Sequence, residues 1–295
     1  MASSPDGRSQ FARSAVQLVR DCGFDGIDID WEYPADDGQA QNFVDLLREL
    51  RAQLDAYSAQ AAGGYRFLIT VACPAGPSNY QKLRIRDMDR YLDFWNLMAY
   101  DMAGSWDQTA GHQANIYKSM SKPAATPFCA DDAINYYIAN GLPANKLVLG
   151  MPIYGRAFLN TDGPGSPYNG VGAPQQPGSW EAGVWDYKAL PRPGATELFD
   201  PNIIASWSYD NGQRMMVTYD TVECERKKCE YIRKKQLGGA MWWETSGDRK
   251  DDHSLIATVA SSLGGGDYNS LDKADNCLSY PWSKYDNLRN GFPNN

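Results

Sequence analysis

Histidine is nearly absent from this sequence, which holds only His112 and His253. The six cysteines, Cys22, Cys73, Cys129, Cys224, Cys229 and Cys277, include no CxxC pair, so the ligand spacing of a zinc site is missing and no metal is expected. Cys224 and Cys229 stand close together, but on one helix they point in different directions, which leaves the redox compartment open. No apolar run approaches the roughly 18 residues of a membrane span, and Met1 to Arg20 carries polar and charged residues where an export signal has an apolar stretch. The chain therefore reads as soluble and without an export address. Cations are short as well: 28 Lys and Arg stand against 36 Asp and Glu, giving a formal net charge of −8 and a pI near 4.9. Phosphate binding needs a concentrated basic surface, so a nucleic-acid partner is excluded and an anionic substrate disfavoured. No GxGxxG or GxxxxGK follows any apolar run, which removes the common phosphate-binding turns.

What remains is an ordinary globular composition, 43% hydrophobic and 22% charged, long enough to bury a full core. Helix and strand patterns alternate along it. Residues 9–22 (SQFARSAVQLVRDC) place Phe11, Ala15, Val16, Leu18 and Val19 at helical spacing, with Gly23 as a stop; residues 40–57 repeat the pattern with Phe43, Leu46, Leu47, Leu50 and Leu54. Strand-type runs cover 24–32, 67–73, 94–100, 147–154 and 237–243, and helical stretches at 130–140, 221–236 and 252–263 lie between or after them. Near-continuous apolar strands separated by helices predict a parallel sheet covered on both faces, either doubly wound or a (β/α)8 barrel.

The ends of these runs separate the two. Each finishes in polar or aromatic groups: Asp30, Trp31, Glu32 and Tyr33; Pro74 to Gly76; Tyr100 and Asp101; Tyr154 and Arg156; Trp243 and Glu244. Functional groups at the carboxyl ends of several strands are what a barrel active site requires, so the α/β fold expected is the barrel. The stretch from Arg156 to the helix near Thr221 is rich in Gly, Pro and aromatics and contains VWDYKAL, IIASWSYD and RMMVTYD, read as short strands of an inserted subdomain. The expected organisation is a catalytic barrel over 1–156 and 219–263, an α+β insertion over 157–218 and an extension over 264–295.

The segment DGIDIDWE at 25–32 carries the chemistry. Asp28, Asp30 and Glu32 recur at every second position among Ile27, Ile29 and Trp31, so on a strand they share one face. A solvated edge blunted by charge would show the same pattern. Three carboxylates about 6 to 7 Å apart in steps of two are costly to ionise together, so one proton is expected to be retained, and Glu32, nearest the mouth, is its natural holder. A protonated carboxyl in an aromatic cleft is the general acid of glycoside hydrolysis. The two-carboxylate scheme needs a partner on another strand; MPIYGR offers none, and Asp101 and Glu244 are candidates only by position. Asp25 has the wrong parity for the carboxylate face, and His112 has no acid–base company and reads as structural.

DGIDIDWE together with LMAYDMAGSWD, GMPIYGRAF and GGAMWWETSGD resembles the family 18 glycoside hydrolases, the chitinases, and most of all the fungal enzymes; the tail SLDKADNCLSYPWSKYDNLRNG fits the same group. The resemblance implies an endo-type chitinase acting on β-1,4-linked N-acetylglucosamine by substrate-assisted retention, in which the substrate's N-acetyl carbonyl replaces the missing nucleophile. By matching position it implies Glu32 as proton donor and later base, Asp30 as the group on the acetamido N–H, Asp28 sharing a proton with it, and Tyr100 on the acetamido oxygen. Asp101, Met98 and Arg156 resemble contacts to the reactive sugar, Trp243 its floor, and Tyr154, Trp106 and Tyr33 cleft contacts nearby. No cofactor is implied; the expected partner is chitin or chito-oligosaccharide, with no nucleic acid or membrane, for a monomer outside the cell. The five strand runs match the fourth to eighth strands of the family barrel, and the first three, with the family's aromatic first strand and SxGG segment, have no counterpart before Ser9. The expectation is therefore a TIM barrel N-terminally truncated to about five βα units, with two unpaired sheet edges. An inactive truncated product and a non-hydrolytic chitin or glycan binder are the alternative readings.

Overall fold

The computed structural model describes residues 1–291; the last four residues of the expected extension, 292–295, lie outside them. Helix α1 (Pro5–Cys22) opens where Ser4 Oγ accepts from the Gly7 N–H at 3.1 Å and Pro5 supplies a preset φ, and ends at Gly23 in the left-handed region. It thus starts ahead of the expected 9–22, and its buried stripe is Ala12, Ala15 and Val19, while Leu18 is exposed. Strand β1 (Gly26–Ile29) leads to α2 (Asp37–Ala61), N-capped by Asp36 and burying Phe43, Leu46, Leu47, Leu50 and Leu54 as its periodicity requires. Then come β2 (Leu68–Pro74), the short helices α3 (Pro77–Tyr80) and α4 (Ile85–Asp89), β3 (Phe94–Met98), α5 (Ala130–Ala139) and β4 (Leu147–Pro152).

The run at 147–154, read as one strand, is broken at Ile153. Its N–H donates to Trp243 O at 2.8 Å and its carbonyl accepts from the Tyr187 N–H at 3.1 Å, which turns the chain out of one sheet and into another. The second sheet contains β5 (Tyr154–Phe158), β6 (Val184–Asp186), β7 (Thr196–Asp200), β8 (Ala205–Asp210) and β9 (Met215–Thr218), in the order β6-β5-β9-β8-β7, all antiparallel. Its helical content between 157 and 218 is the 3₁₀ turn Tyr187–Ala189, so the helical half of the expected α+β insertion reduces to that turn among the described residues. The chain returns through α6 (Val222–Lys235), β10 (Gly239–Trp243) and α7 (Leu255–Gly264) to the short α8 (Asp286–Arg289).

The first sheet is wholly parallel, in the order β1-β2-β3-β4-β10, with β1 and β10 as its edges among the described residues. Successive strands joined by helices, with α1 and α2 packed together beside β1 and β2, are the βα arrangement of a TIM-type barrel. Ile69, Val71, Trp95, Leu97, Leu147 and Leu149 form the core between strands and helices. At the amino ends of the strands the C-terminal segment crosses back: Tyr280 Oη donates to Phe24 O, Ser283 Oγ donates to Asp21 O, and Trp282 packs on Tyr57. The carboxyl ends, on the other side, stay free for a site.

Candidate active site

Strand β1 stops at Ile29, so of the three carboxylates only Asp28 is held in the sheet, and Asp30 and Glu32 follow on the chain leaving it. Asp28 Oδ1 accepts from Thr70 Oγ1 at 2.5 Å and from Asn96 Nδ2 at 3.0 Å, side chains of β2 and β3 that tie it to the sheet. Asp30 and Glu32 line a cavity of about 420 Å³ together with Tyr33, Met98, Tyr100, Asp101, Tyr154 and Trp243. The upper two carboxylates therefore meet at the cavity, and the third, itself exposed, stays on the strand among Thr70 and Asn96. The raised carboxyl is Asp30, the middle member: burial lifts it, and the charges of Glu32 and Asp28 add to that. The rise thus falls on the middle member, where both neighbouring carboxylates act on it.

Tyr100 follows the end of β3, its ring edge-on to Tyr154 at 6.3 Å. Burial first, and then Asp101, Asp30 and Glu32, push its phenol well above the usual range, so it stays a hydrogen-bond donor at any working pH. Tyr33 is raised in the same way, by burial and by Glu32. Asp101 has a left-handed backbone (φ 56°), a conformation Asp tolerates, and its Oδ1 accepts from Tyr154 Oη and Arg156 Nε at 2.6 Å each. Tyr154 and Arg156 come from β5, so the turn at Ile153 is what delivers them. Trp243, the last residue of β10, is 59% exposed and walls the cavity from the far edge of the sheet.

Three of the expected residues stand apart from the cavity lining. Asp28 is held by Thr70 and Asn96, Arg156 backs Asp101, and Trp106 lies against the Arg156 guanidinium at 4.8 Å from its ring centroid. The same ring covers Gly104, where a Cβ would fall 2.4 Å from it. Ser78, Asn79 and Phe128 line the cavity without having been anticipated. The first two ride on the one-turn helix α3 and the third on an irregular loop, and neither leaves a periodic signal. Glu244, a candidate second carboxylate by position, accepts from Ser246 N at 2.9 Å and from its hydroxyl, which lower its pKa, and it does not line the cavity.

His112 is buried edge-on to Trp207 at 5.0 Å, and burial pushes its pKa down to about 4, in keeping with a structural role. All six cysteines are free thiols. No helix among the described residues is long and apolar enough to cross a membrane.

Residues 1–248 match Glycosyl hydrolases family 18. The chain is 51% identical over 288 residues to "Endochitinase 1" of Metarhizium robertsii, covering 98% of this chain and 66% of that protein. It is 51% identical over 291 residues to "Chitinase 1" of Aphanocladium album, covering 99% of this chain and 67% of the other. It thus spans about two thirds of the length of these fungal relatives. "Chitinase ChiA74 from Bacillus thuringiensis" superposes with a TM-score of 0.81 at 32% identity, over 93% of this chain and 49% of that one. A class V chitinase of Nicotiana tobaccum in complex with NAG4 superposes with a TM-score of 0.77 at 28% identity, over 90% of this chain and 75% of that one. The family match over residues 1–248 and the two fungal relatives at 51% identity agree, and the chain belongs to glycosyl hydrolase family 18.

Proposed function

We propose that the protein is a chitinase that hydrolyses β-1,4 bonds between N-acetylglucosamine units with retention, using the substrate's own acetamido group as nucleophile. The observation that carries this reading is that, among the described residues, no free carboxylate faces Glu32 from another strand. Asp101 Oδ1 already holds Tyr154 and Arg156, and Glu244 is turned to Ser246. An enzyme nucleophile is missing among them, while Asp30, Glu32, the Tyr100 phenol and the Trp243 indole gather about one cavity. The relatives' names and the bound NAG4 in the class V chitinase support the substrate class.

In this mechanism Glu32 gives its proton to the glycosidic oxygen as the C1–O bond breaks, and the acetamido oxygen bonds to C1, forming an oxazolinium. Asp30 accepts from the acetamido N–H, which stabilises the cation, and Asp28 takes up a share of the Asp30 proton as it does so. Tyr100 Oη donates to the acetamido oxygen and holds it under C1, an orienting role in which the entropy of approach is removed in advance. Water then attacks C1 with Glu32 as base, and the oxazolinium opens. Trp243 packs on the apolar face of the reactive sugar, Met98, Asp101 and Arg156 contact it, and Tyr33, Tyr154 and Trp106 border the cleft.

We further place the catalytic unit at 1–156 and 219–263, the insertion at 157–218 and the extension at 264–295, in a monomer whose partner is the glycan alone and whose place is outside the cell, where an insoluble polymer is met. The test is hydrolysis of a fluorogenic chitobioside beside Glu32→Gln. Turnover should fall by roughly a hundredfold or more in the variant with its melting unchanged; equal rates in the two proteins would overturn the assignment.

A further inference from the structure

Glu225 lies on α6, fully enclosed, beside a second buried carboxyl and one buried ammonium. Lys228 Nζ meets Asp220 Oδ2 at 2.5 Å, with the two side chains 1% and 2% exposed, and Cys224 Sγ donates to Asp220 Oδ1. Asp220 and Lys228 neutralise one another. The other titratable groups around Glu225 are Cys229 on the same helix, Tyr187 of the 3₁₀ turn and Asp248 beyond β10, and none of these is a cation. The guanidinium beside Tyr187, that of Arg249, donates to Leu190 O and lies over the Tyr187 ring. Burial, and then the charge of Asp220, therefore hold the Glu225 carboxyl well above the usual range.

Its one partner is an indole. Glu225 Oε1 accepts from Trp242 Nε1 at 3.2 Å, and Oε2 has no partner among the described residues. A Trp N–H turned into the protein needs an acceptor, and Glu225 supplies it. Trp242 precedes Trp243 on β10, and side chains alternate along a strand, so Trp242 packs back among Ile153, Tyr187 and Leu255 while Trp243 faces the cavity. The same strand end is tied to the turn that begins β5, through Ile153 N to Trp243 O.

We infer that Glu225 is a positioning residue for the cleft, which fixes the end of β10 through Trp242 and so sets the attitude of the sugar-facing Trp243. The inference rests on the chitinase reading for its ligand but not for its contact. Glu225 touches no substrate, and it stands behind the opposite edge of the sheet from the carboxylates of β1, so its loss should act on sugar binding before it acts on bond cleavage.

The test compares Glu225→Leu, which removes the acceptor, with Glu225→Gln, which keeps a carbonyl oxygen and cannot ionise. Chitotetraose binding is measured by calorimetry with Glu32→Gln present to prevent turnover, and KM and kcat are measured without it. Glu225→Leu should weaken binding roughly fivefold, a loss the size of one modest hydrogen bond, with the larger change in KM, and Glu225→Gln should restore it. Unchanged binding in a folded Glu225→Leu protein would overturn the inference. A stability cycle of Glu225→Leu and Trp242→Phe needs no activity: non-additive melting shifts support the contact, and additive shifts sink it. The raised carboxyl has its own readout. A raised native value means stability that is full below the ordinary carboxylate value of 4.5 and falls as pH climbs toward the native value, so Glu225→Gln should gain on the native protein as pH rises. Should the native protein bind no chitotetraose, the chitinase reading fails and the positioning role with it, while the melting cycle still decides the contact.

Discussion

Asp30 shows at the scale of one residue how function and stability pull apart. Its carboxyl is lifted from the ordinary 3.8 by burial and by two neighbouring carboxylates, a cost in stability that the fold bears at its cleft. With the native value above the unfolded one, its contribution to stability is full below pH 3.8 and is lost as pH rises through the native value. Asp30→Asn, uncharged throughout, should therefore melt higher than the native protein at neutral pH and no higher at acid pH, while turnover drops by roughly a hundredfold or more because Asn cannot shift a proton. A melting difference that does not vary with pH would contradict the assignment of the shift to Asp30. The trio was legible in the sequence because parity survives the end of a strand: Asp28, Asp30 and Glu32 share a side whether or not the ladder continues. The position of the raised carboxyl was not legible, since reasoning from the mouth of the cleft favoured Glu32 and only the middle residue has a carboxylate on either side. Trp106 was harder still, because a sequence shows an aromatic beside the cleft motif but not the glycine and guanidinium against which its ring lies.

Among the elements, the strands of the parallel sheet were visible as apolar or alternating runs, and β7 was not. β7 (TELFD) is an edge strand exposed over most of its length, and nothing in its composition separates it from a loop. The run at 147–154 looked continuous because β4 and β5 are both buried; the break at Ile153 shows only in partners, one sheet before it and another after. Close approach between elements can be tested directly. A Cβ on Gly26 would fall 2.4 Å from Leu68 O, across the β1–β2 pairing that carries Asp28. Gly26→Ala should therefore destabilise by about 3 kcal/mol and lower activity with it, by forcing the two strands apart. Gly266→Ala, where a Cβ meets nothing within 4 Å, should change stability by less than about 0.5 kcal/mol. Equal denaturation midpoints for the two variants would show that the strands do not approach as described.

For the whole molecule, the division of labour between the two ends of the sheet is the main result. The carboxyl ends hold the carboxylates, the phenol and the indole, and the amino ends are covered by the returning C-terminal segment. Asp25, set aside as off the carboxylate face, belongs to that second end: its Oδ1 accepts from Cys277 N at 2.7 Å, across 252 residues of sequence, and its Oδ2 accepts from Asn276 Nδ2 at 2.8 Å. No spacing rule reaches that far, so this role could not be read from the chain. Asp25→Ala should lower stability by about 2 kcal/mol through the lost hydrogen bonds and leave the rate per folded molecule intact, read from denaturant unfolding beside kcat. A loss of kcat in the folded variant would bring the two ends into one function. The two strands left as edges, β1 and β10, are the same two that carry the acid trio and Trp243, so the cleft lies at the rim of the described sheet as well as at its top. The claim on which all of this depends is that the substrate supplies its own nucleophile. The most direct test is the hydrolysis rate of a fluorogenic chitobioside beside the same compound lacking its N-acetyl carbonyls. The account requires turnover of the first and a fall of roughly a thousandfold or more for the second, since the positioned internal nucleophile is gone; comparable rates on both would mean that a carboxylate of the protein attacks C1 and that the mechanism is wrong.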